Sequence, residues 1–456
     1  MKLKQLVVAV LCAVACVSCS DDEKGVLTVL DTAPISVKNA GGDIDIPFEA
    51  NTDAYVTIDE ASTSWLSYKT TRSVSEHSLI LTATENMGEV ARTATVTITS
   101  TRKTVAPTVL TITQAPKVYE DHRMMYILGE GRMNNADSRL AMYNFNDESL
   151  DCQFFISQNE GAKLGDTAQD LLVYGSKAYV LVNVSDKVVV MNAVTGKLIK
   201  EVSFAEKTQP RFAVGANGKV YMSTYMNGVA VMDTTSLEIT KNIALSGAFS
   251  ENIVRIDNNL YVANSGNKGD SFGGSGTTVS VVSLDSEEET ATITVPQNPN
   301  RLCVTKDKRL FLSCWGNWTS VDAHLYEIDY TNKEVLASYE DFTCSKMTVT
   351  DKYVYCYHFS YMTYQTEYKR LNLATDEVTD YLDSSEPRGY HLQSPYDLAV
   401  DPSNNDVFLL DQSGWVLWMN EEGALVKNFE LTPDGVNAVN PNCVRFVDYR
   451  VDVTPN

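Results

Sequence analysis

The strongest constraint on this chain is that it repeats itself. Between Pro210 and Leu245 (PRFAVGANGKVYMSTYMNGVAVMDTTSLEITKNIAL) four short apolar or β-branched runs are separated by turns carrying Gly, Asn and Asp. A lone four-stranded unit of this kind cannot bury both of its faces, so it needs neighbours like itself. The sequence supplies them at Asp170–Phe204, Glu251–Val295, Asn300–Asp341, Cys344–Ser384 and Ser394–Leu431. The second strands align on one aromatic each: Tyr179, Tyr221, Tyr261, Phe311, Tyr355 and Phe408. Their spacing, about 40–53 residues, suits propeller blades with loops of variable length.

A seventh unit is split between the two ends of this region. Met124–Gly129 (MMYILG), Ser138–Phe145 (SRLAMYNF) and Asp151–Ser157 (DCQFFIS) read as the second, third and fourth strands of a blade whose first strand is missing. Asn442–Val447 (NCVRFV) reads like the first strands elsewhere, such as LCVT at Leu302–Thr305. Residues 122–450 are therefore expected to form a seven-bladed β-propeller closed by the C-terminal strand, an arrangement that removes open sheet edges. Ahead of it, residues 28–116 alternate apolar and polar positions, as in ATVTITS (Ala94–Ser100), and predict an immunoglobulin-like β-sandwich. The fold class is all-β.

The chain has 456 residues with a formal net charge of −22, a balance that argues against nucleic acid or anionic lipid as a binding partner. At its start, Lys2 and Lys4 precede the apolar run Leu6–Val17, too short to span a bilayer and suited to a secretory leader. The run ends in Cys16-Val17-Ser18-Cys19, which resembles a bacterial lipoprotein signal. That resemblance implies a leader over 1–18, lipidation at Cys19 and a tether over 19–27. Ser20-Asp21-Asp22-Glu23 resembles the acidic tag of Bacteroidetes lipoproteins, which implies export to the outer face of the outer membrane. Six further cysteines (Cys152, Cys303, Cys314, Cys344, Cys356 and Cys443) sit mostly inside expected strands, without zinc-ligand spacing. They read as buried thiols behaving as small hydrophobes, with a Cys303–Cys314 disulfide as the alternative in an oxidising compartment.

In a propeller, the loops between second and third strands open on the same face as the connections between blades. Sorting the loops by that rule gathers Tyr225, Phe249, Phe272, Trp315, Trp318, Phe359, Tyr361, Tyr364, Tyr390, Tyr396 and Trp415 at or beside one mouth. From them and their polar neighbours, the candidate ligand-binding residues are Tyr225, Phe272, Arg301, Trp315, Trp318, His358, Tyr361, Tyr390 and His391. Rings supply contact area and polar side chains fix orientation, which suits a large amphipathic ligand; the alternative is that some rings wedge between blades. The glycine-rich Gly266–Gly276 lacks the helix and Lys-Ser/Thr of a phosphate cradle. No metalloprotease or serine-hydrolase motif occurs, and nothing pairs Asp166, Asp170 or Asp411 for catalysis, so no enzymatic activity, metal or cofactor is expected.

Two resemblances extend this reading. Trp65-Leu66, Asn86, Arg92-Thr93-Ala94-Thr95 and the terminal Ile112–Gln114 resemble a BACON domain, an immunoglobulin-like module near the N-terminus of Bacteroidetes surface proteins. The name implies carbohydrate binding, with Trp65 as a sugar platform; the residue pattern favours Trp65 as core. Leu164–Gln169 (LGDTAQ) and Val180–Ser185 (VLVNVS) resemble YncE-like propellers, and in particular the vitamin-B12-capturing lipoproteins of gut Bacteroides. This implies a surface protein that hands a corrinoid to a TonB-dependent outer-membrane transporter. The sandwich module keeps a glycan ligand of a polysaccharide-utilisation system open as the alternative.

Overall fold

The computed structural model describes residues 24–70, 77–317, 319–360, 365–382, 392, 394–432 and 439–455. The chain divides into two compact units, Met1–His122 with Arg450–Asn456, and Arg123–Tyr449.

The first unit holds two four-stranded sheets. One runs in the spatial order Leu27–Val29, Gly42–Ala50, His77–Ala83, Leu66–Thr70; the other runs Ile35–Val37, Thr108–Gln114, Arg92–Ser100, Ala54–Ile58. Alternation along Arg92–Ser100 turns Ala94, Val96 and Ile98 inward against Leu79, Leu81, Leu110 and Ile112. Trp65 is 7% exposed and belongs to this core, so it is packing and not a sugar platform. The Arg92 guanidinium lies 4.5 Å from its ring centroid. Arg92 also donates to the Gln114 side-chain oxygen (2.9 Å) and to the Thr84 carbonyl (2.8 Å). Gln114, fully buried, donates in turn to the Asn39 and Thr84 carbonyls. Of the residues that carry the sandwich resemblance, Trp65, Arg92 and Gln114 thus pack and hydrogen-bond together.

In the second unit the described residues form seven four-stranded sheets. In six of them the strands pair in chain order, each antiparallel to the next. The remaining sheet is ordered Leu150–Asp151, Arg139–Asn144, Tyr119–Gly129, Pro441–Asp452, so the C-terminal strand completes the sheet that the chain began first. We number the sheets one to seven from it. The first strands of sheets two to seven are Ala168–Tyr174, Pro210–Ala216, Ala248–Ile256, Pro299–Val304, Lys346–Val349 and Pro395–Val400, each packing beside its successor. A separate apolar cluster fills every gap between successive sheets. The cluster of Phe408, Leu410 and Val416 with Met125, Ile127 and Val444 joins sheet seven back to sheet one. The repeat aromatics Tyr179, Tyr221, Phe311, Tyr355 and Phe408 are each at most 1% exposed in these clusters, where burial at about 25 cal/mol per Å² makes large rings the main source of cohesion.

One sequence expectation is corrected and one alternative falls away. The phenylalanine segment expected as a strand forms only the two-residue strand Leu150–Asp151 and then a short helix, Phe154–Gln158. Asp151 accepts from the Gln153 amide (2.9 Å), turning the chain away from the sheet. Phe154 and Phe155 then plug the gap between sheets one and two, with Phe154 5.7 Å from Tyr126. The Cys303–Cys314 disulfide is also excluded. Cross-strand register sets Cys303 opposite Phe311 and Cys314 opposite Pro299, and both thiols are free.

Candidate functional site

The chain enters each first strand from the mouth side, and there the strands share a device. Register slips between Ala168 and Asp170, Pro210 and Ala213, Ser250 and Ile253, Pro299 and Arg301, and Pro395 and Asp397. An extra residue at such a bulge re-aims the side chains beside it. Here it recurs in sheets two, three, four, five and seven, whereas the first strand of sheet six pairs without a slip. At the mouth end stand Gln169, Arg211, Glu251, Arg301, Lys346, Tyr396 and Asn442, one from each first strand.

These side chains close on one another. Arg211 donates through Nε and Nη2 to Glu251 Oε2 (2.9 and 2.7 Å) and through Nη1 to Gln169. The Tyr225 hydroxyl donates to Glu251 Oε1 (2.9 Å), and the Arg211 guanidinium stands 4.7 Å from the Tyr225 ring centroid. Arg301, on sheet five, reaches Asp397 on sheet seven (2.8 Å) and lies 4.5 Å from the ring centroid of Phe212 on sheet three. Lys346 shares the same Asp397 oxygen (3.1 Å). The Tyr396 hydroxyl donates to Glu130, which follows the second strand of sheet one. Arg445 Nη2 pairs with Asp170 (2.8 Å), and Asn442 donates to the Ala168 and Gln169 carbonyls. Burial pushes the Lys346 ammonium below its ordinary pKa despite the opposing pull of Asp397. Burial, chiefly, also drives the Tyr225 and Tyr396 phenols far above theirs. The floor of the mouth is a ring of mutually satisfied charges.

Above the floor are the loops between second and third strands, and four of them carry exposed apolar side chains. Met133 is 65% exposed, Met226 58%, Phe272 74% and Val321 39%, in the loops of sheets one, three, four and five. On the opposite face the turns from first to second strands, such as Gly175-Ser176, Asn217-Gly218, Asp257-Asn258 and Thr350–Lys352, are polar, and the turn from third to fourth strand of sheet two exposes Val194 (36%). Trp315, half-buried at the start of its loop, donates from Nε1 to the Ser345 carbonyl (2.6 Å). The Ser345 hydroxyl shares a 2.9 Å hydrogen bond with His358 Nδ1, and burial lowers the imidazole's pKa.

Of the sequence candidates, Tyr225 and Arg301 belong to the floor, Trp315 and His358 meet through Ser345, and Phe272 is exposed at a loop tip. Phe249 is a wedge, 8% exposed and 5.5 Å from the Tyr225 ring. Trp318, Tyr361, Tyr390 and His391 lie outside the described residues, as does Cys19. Sequence reasoning missed Gln169, Glu251, Lys346, Asp397, Glu130 and Arg445 as site residues. The signal was a polar residue at the same place in every first strand, as in AQDLL, PRFAV, NRLCV, SKMTV and PYDLA. A cavity of about 810 Å³ lies elsewhere, against the outer strands of sheets five and six, lined by Tyr339, Asp341, Phe342, Lys369, Val378 and Asp380.

Sheet order, closure and mouth define a two-domain, all-β protein of the propeller class. The family described as "Domain of unknown function (DUF5074)" matches residues 124–432, and the chain belongs to that family. Residues 55–115 match the BACON family, described as "Putative binding domain, N-terminal". No curated protein matches the chain. Similar solved structures include the hydrazine synthase of Kuenenia stuttgartiensis, at 17% identity and TM-score 0.49, over 56% of this chain and 76% of that one. The computationally designed Ika8 protein aligns at 11% identity and TM-score 0.44, over 61% and 90%. Apo AztD from Citrobacter koseri aligns at 11% and 0.43, over 72% and 98%.

Proposed function

We propose that this chain is a non-enzymatic surface lipoprotein, anchored through Cys19 to the outer membrane, that captures a large amphipathic ligand at the propeller mouth. The observation that carries the reading is the asymmetry of the two faces. Exposed Met133, Met226, Phe272 and Val321 lie in four of the mouth loops, whereas on the opposite face the turns from first to second strands are polar and the exposed Val194 (36%) stands in a turn from third to fourth strand. Scattered exposed apolar residues need no explanation, but a cluster rimmed by polar groups marks a binding surface. Binding, rather than catalysis, is favoured because the mouth carboxylates are already engaged. Glu251 is held by Arg211, Asp397 by Arg301 and Lys346, Asp170 by Arg445, and Asp411 by the Ser394 amide (2.8 Å).

The ligand class that best fits this chemistry is a corrinoid, to be passed to a TonB-dependent transporter. Its macrocycle offers wide apolar faces for methionine and phenylalanine tips, and its peripheral amides suit the Asn, Gln and Arg of the mouth loops. A surface glycan is the second reading, favoured by the match of residues 55–115 to a putative binding domain. Equilibrating the protein with cyanocobalamin and desalting it tests the first reading: cobalamin absorbance should travel with the protein and diminish in Phe272→Ala and Met226→Ala. Colourless protein across several cobamides, together with retardation in polysaccharide affinity gels, would favour the glycan instead.

A further inference from the structure

Four thiols converge between sheets five and six, a gathering the functional reading does not use. Cys344 precedes the first strand of sheet six, Cys356 lies in its second strand, and Cys303 and Cys314 come from sheet five. Cys344 is close enough to influence the titration of the other three. Among the described residues, no cluster of His, Cys, Asp and Glu is arranged to hold a metal ion. Of the six possible pairs among the four, one is in sulfur–sulfur contact. Cys344 Sγ and Cys356 Sγ are 2.6 Å apart, both fully buried, well inside the roughly 3.5–4.0 Å of ordinary non-bonded contact. Cys303 instead turns its thiol to the Met347 carbonyl (3.6 Å).

We propose that Cys344 and Cys356 are a modification site, oxidised to a disulfide that staples the mouth wall of sheet six. The oxidant is a small-molecule or protein disulfide. One cysteine thiolate attacks it to give a mixed disulfide and release one thiol. The second thiolate then displaces the other half, so the Cys344–Cys356 bond forms as the donor disulfide is reduced to two thiols. Burial raises the Cys356 thiol well above its ordinary pKa, which makes it a poor nucleophile once folded. Oxidation therefore belongs to folding, before sheets five and six close over the pair.

The staple lies directly beneath the mouth. Residue 345, next to Cys344, gives its carbonyl to the Trp315 indole and its hydroxyl to His358. Ser313 Oγ also donates to the Cys344 carbonyl (3.1 Å). A covalent bond there fixes the backbone that orients both side chains. The inference rests on the packing of sheets five and six and stands whether or not the mouth takes a corrinoid.

Peptide mapping tests it. The full chain is reduced, unfolded, refolded with reduced and oxidised glutathione, alkylated in denaturant and cut with trypsin. Each of the four cysteines then falls in a different peptide, because Arg301, Lys306, Arg309, Lys333, Lys346 and Lys352 separate them. The expected result is a covalent link between Glu334–Lys346 and Tyr353–Lys369 that dithiothreitol removes, with an unfolding midpoint that falls on reduction. The link should persist in Cys303→Ser and vanish in Cys356→Ala, which adds no polar atom to the apolar cluster around it. Alkylation of both Cys344 and Cys356 when the refolded, oxidised sample is labelled in denaturant overturns the proposal, and so does a link from Cys344 to Cys303 or Cys314.

Discussion

Replacing Arg211 with methionine would strand the Glu251 carboxylate in the floor of the mouth. The Glu251 side chain is 6% exposed and Arg211 15%, and their closest contact is 2.7 Å. Without the guanidinium, the carboxylate keeps only the Tyr225 hydroxyl at 2.9 Å and a long contact to Ser265 at 3.5 Å. Breaking a buried pair on one side costs about 3–5 kcal/mol, because the remaining charge is left without compensation. Removing both charges is a different perturbation. Arg211→Met with Glu251→Gln leaves a neutral amide that the Tyr225 hydroxyl can still satisfy, and such replacements are often close to neutral. The double variant should therefore lose less than Arg211→Met alone, giving a coupling of at least about 2 kcal/mol. Urea unfolding of the four members of the cycle, compared at constant m, measures it. If the two single losses simply add up in the double variant, the charges do not depend on each other. The picture of a mutually satisfied floor then fails.

Three further outcomes follow from single contacts. Trp315→Phe removes the indole N–H that Ser345 accepts and should cost about 0.5–1.5 kcal/mol in the same unfolding assay. Gly228→Ala places a Cβ 2.3 Å from the Ile243 carbonyl at a φ of +74°, so it should destabilise by more than the roughly 1 kcal/mol that glycine replacement can gain elsewhere, read as a lower urea midpoint. His358 has a folded pKa below its ordinary 6.5, with burial the main cause, so the unfolded state binds more protons between the two values. Its contribution is complete above about 6.5 and is lost as pH falls through that window; Tm measured from pH 7 to pH 5 should drop less in His358→Gln than in the parent.

The architecture was legible because it is written redundantly. Six aligned aromatics, each buried between sheets, identify the repeat even where one loop is long, and the C-terminal NCVRFV could be matched by analogy to the other first strands. The Phe154–Gln158 helix was illegible for a local reason. An apolar run of that length suits a strand as well as a helix, and the deciding contact is the Asp151–Gln153 turn together with a gap between sheets that only the fold creates. The mouth was half legible. Chain order alone places Tyr225, Phe272, Trp315 and His358 on one face, but it cannot show that Trp315 and His358 meet through a serine thirteen residues or more away from either. The ionic floor escaped because its partners lie in different repeats. Arg301 and Asp397 are 96 residues apart, and no local pattern joins them.

That separation also says how such a mouth can change its ligand without losing its fold. The charges of the floor are satisfied mainly between first strands, with Tyr225 and Glu130 added from the ends of second strands, so the floor is part of the ring's own cohesion. The loops above it contribute little to the intersheet clusters: Met133, Met226 and Phe272 are each more than half exposed. Substitutions at those tips should alter binding with little effect on unfolding, whereas substitutions one strand-turn below should do the reverse. Glycine marks the boundary between the two regimes. At Gly316 a Cβ would sit 1.9 Å from the Val321 carbonyl at a φ of +63°, so the loop bearing Trp315 is held closed at its base while its tip stays free to vary.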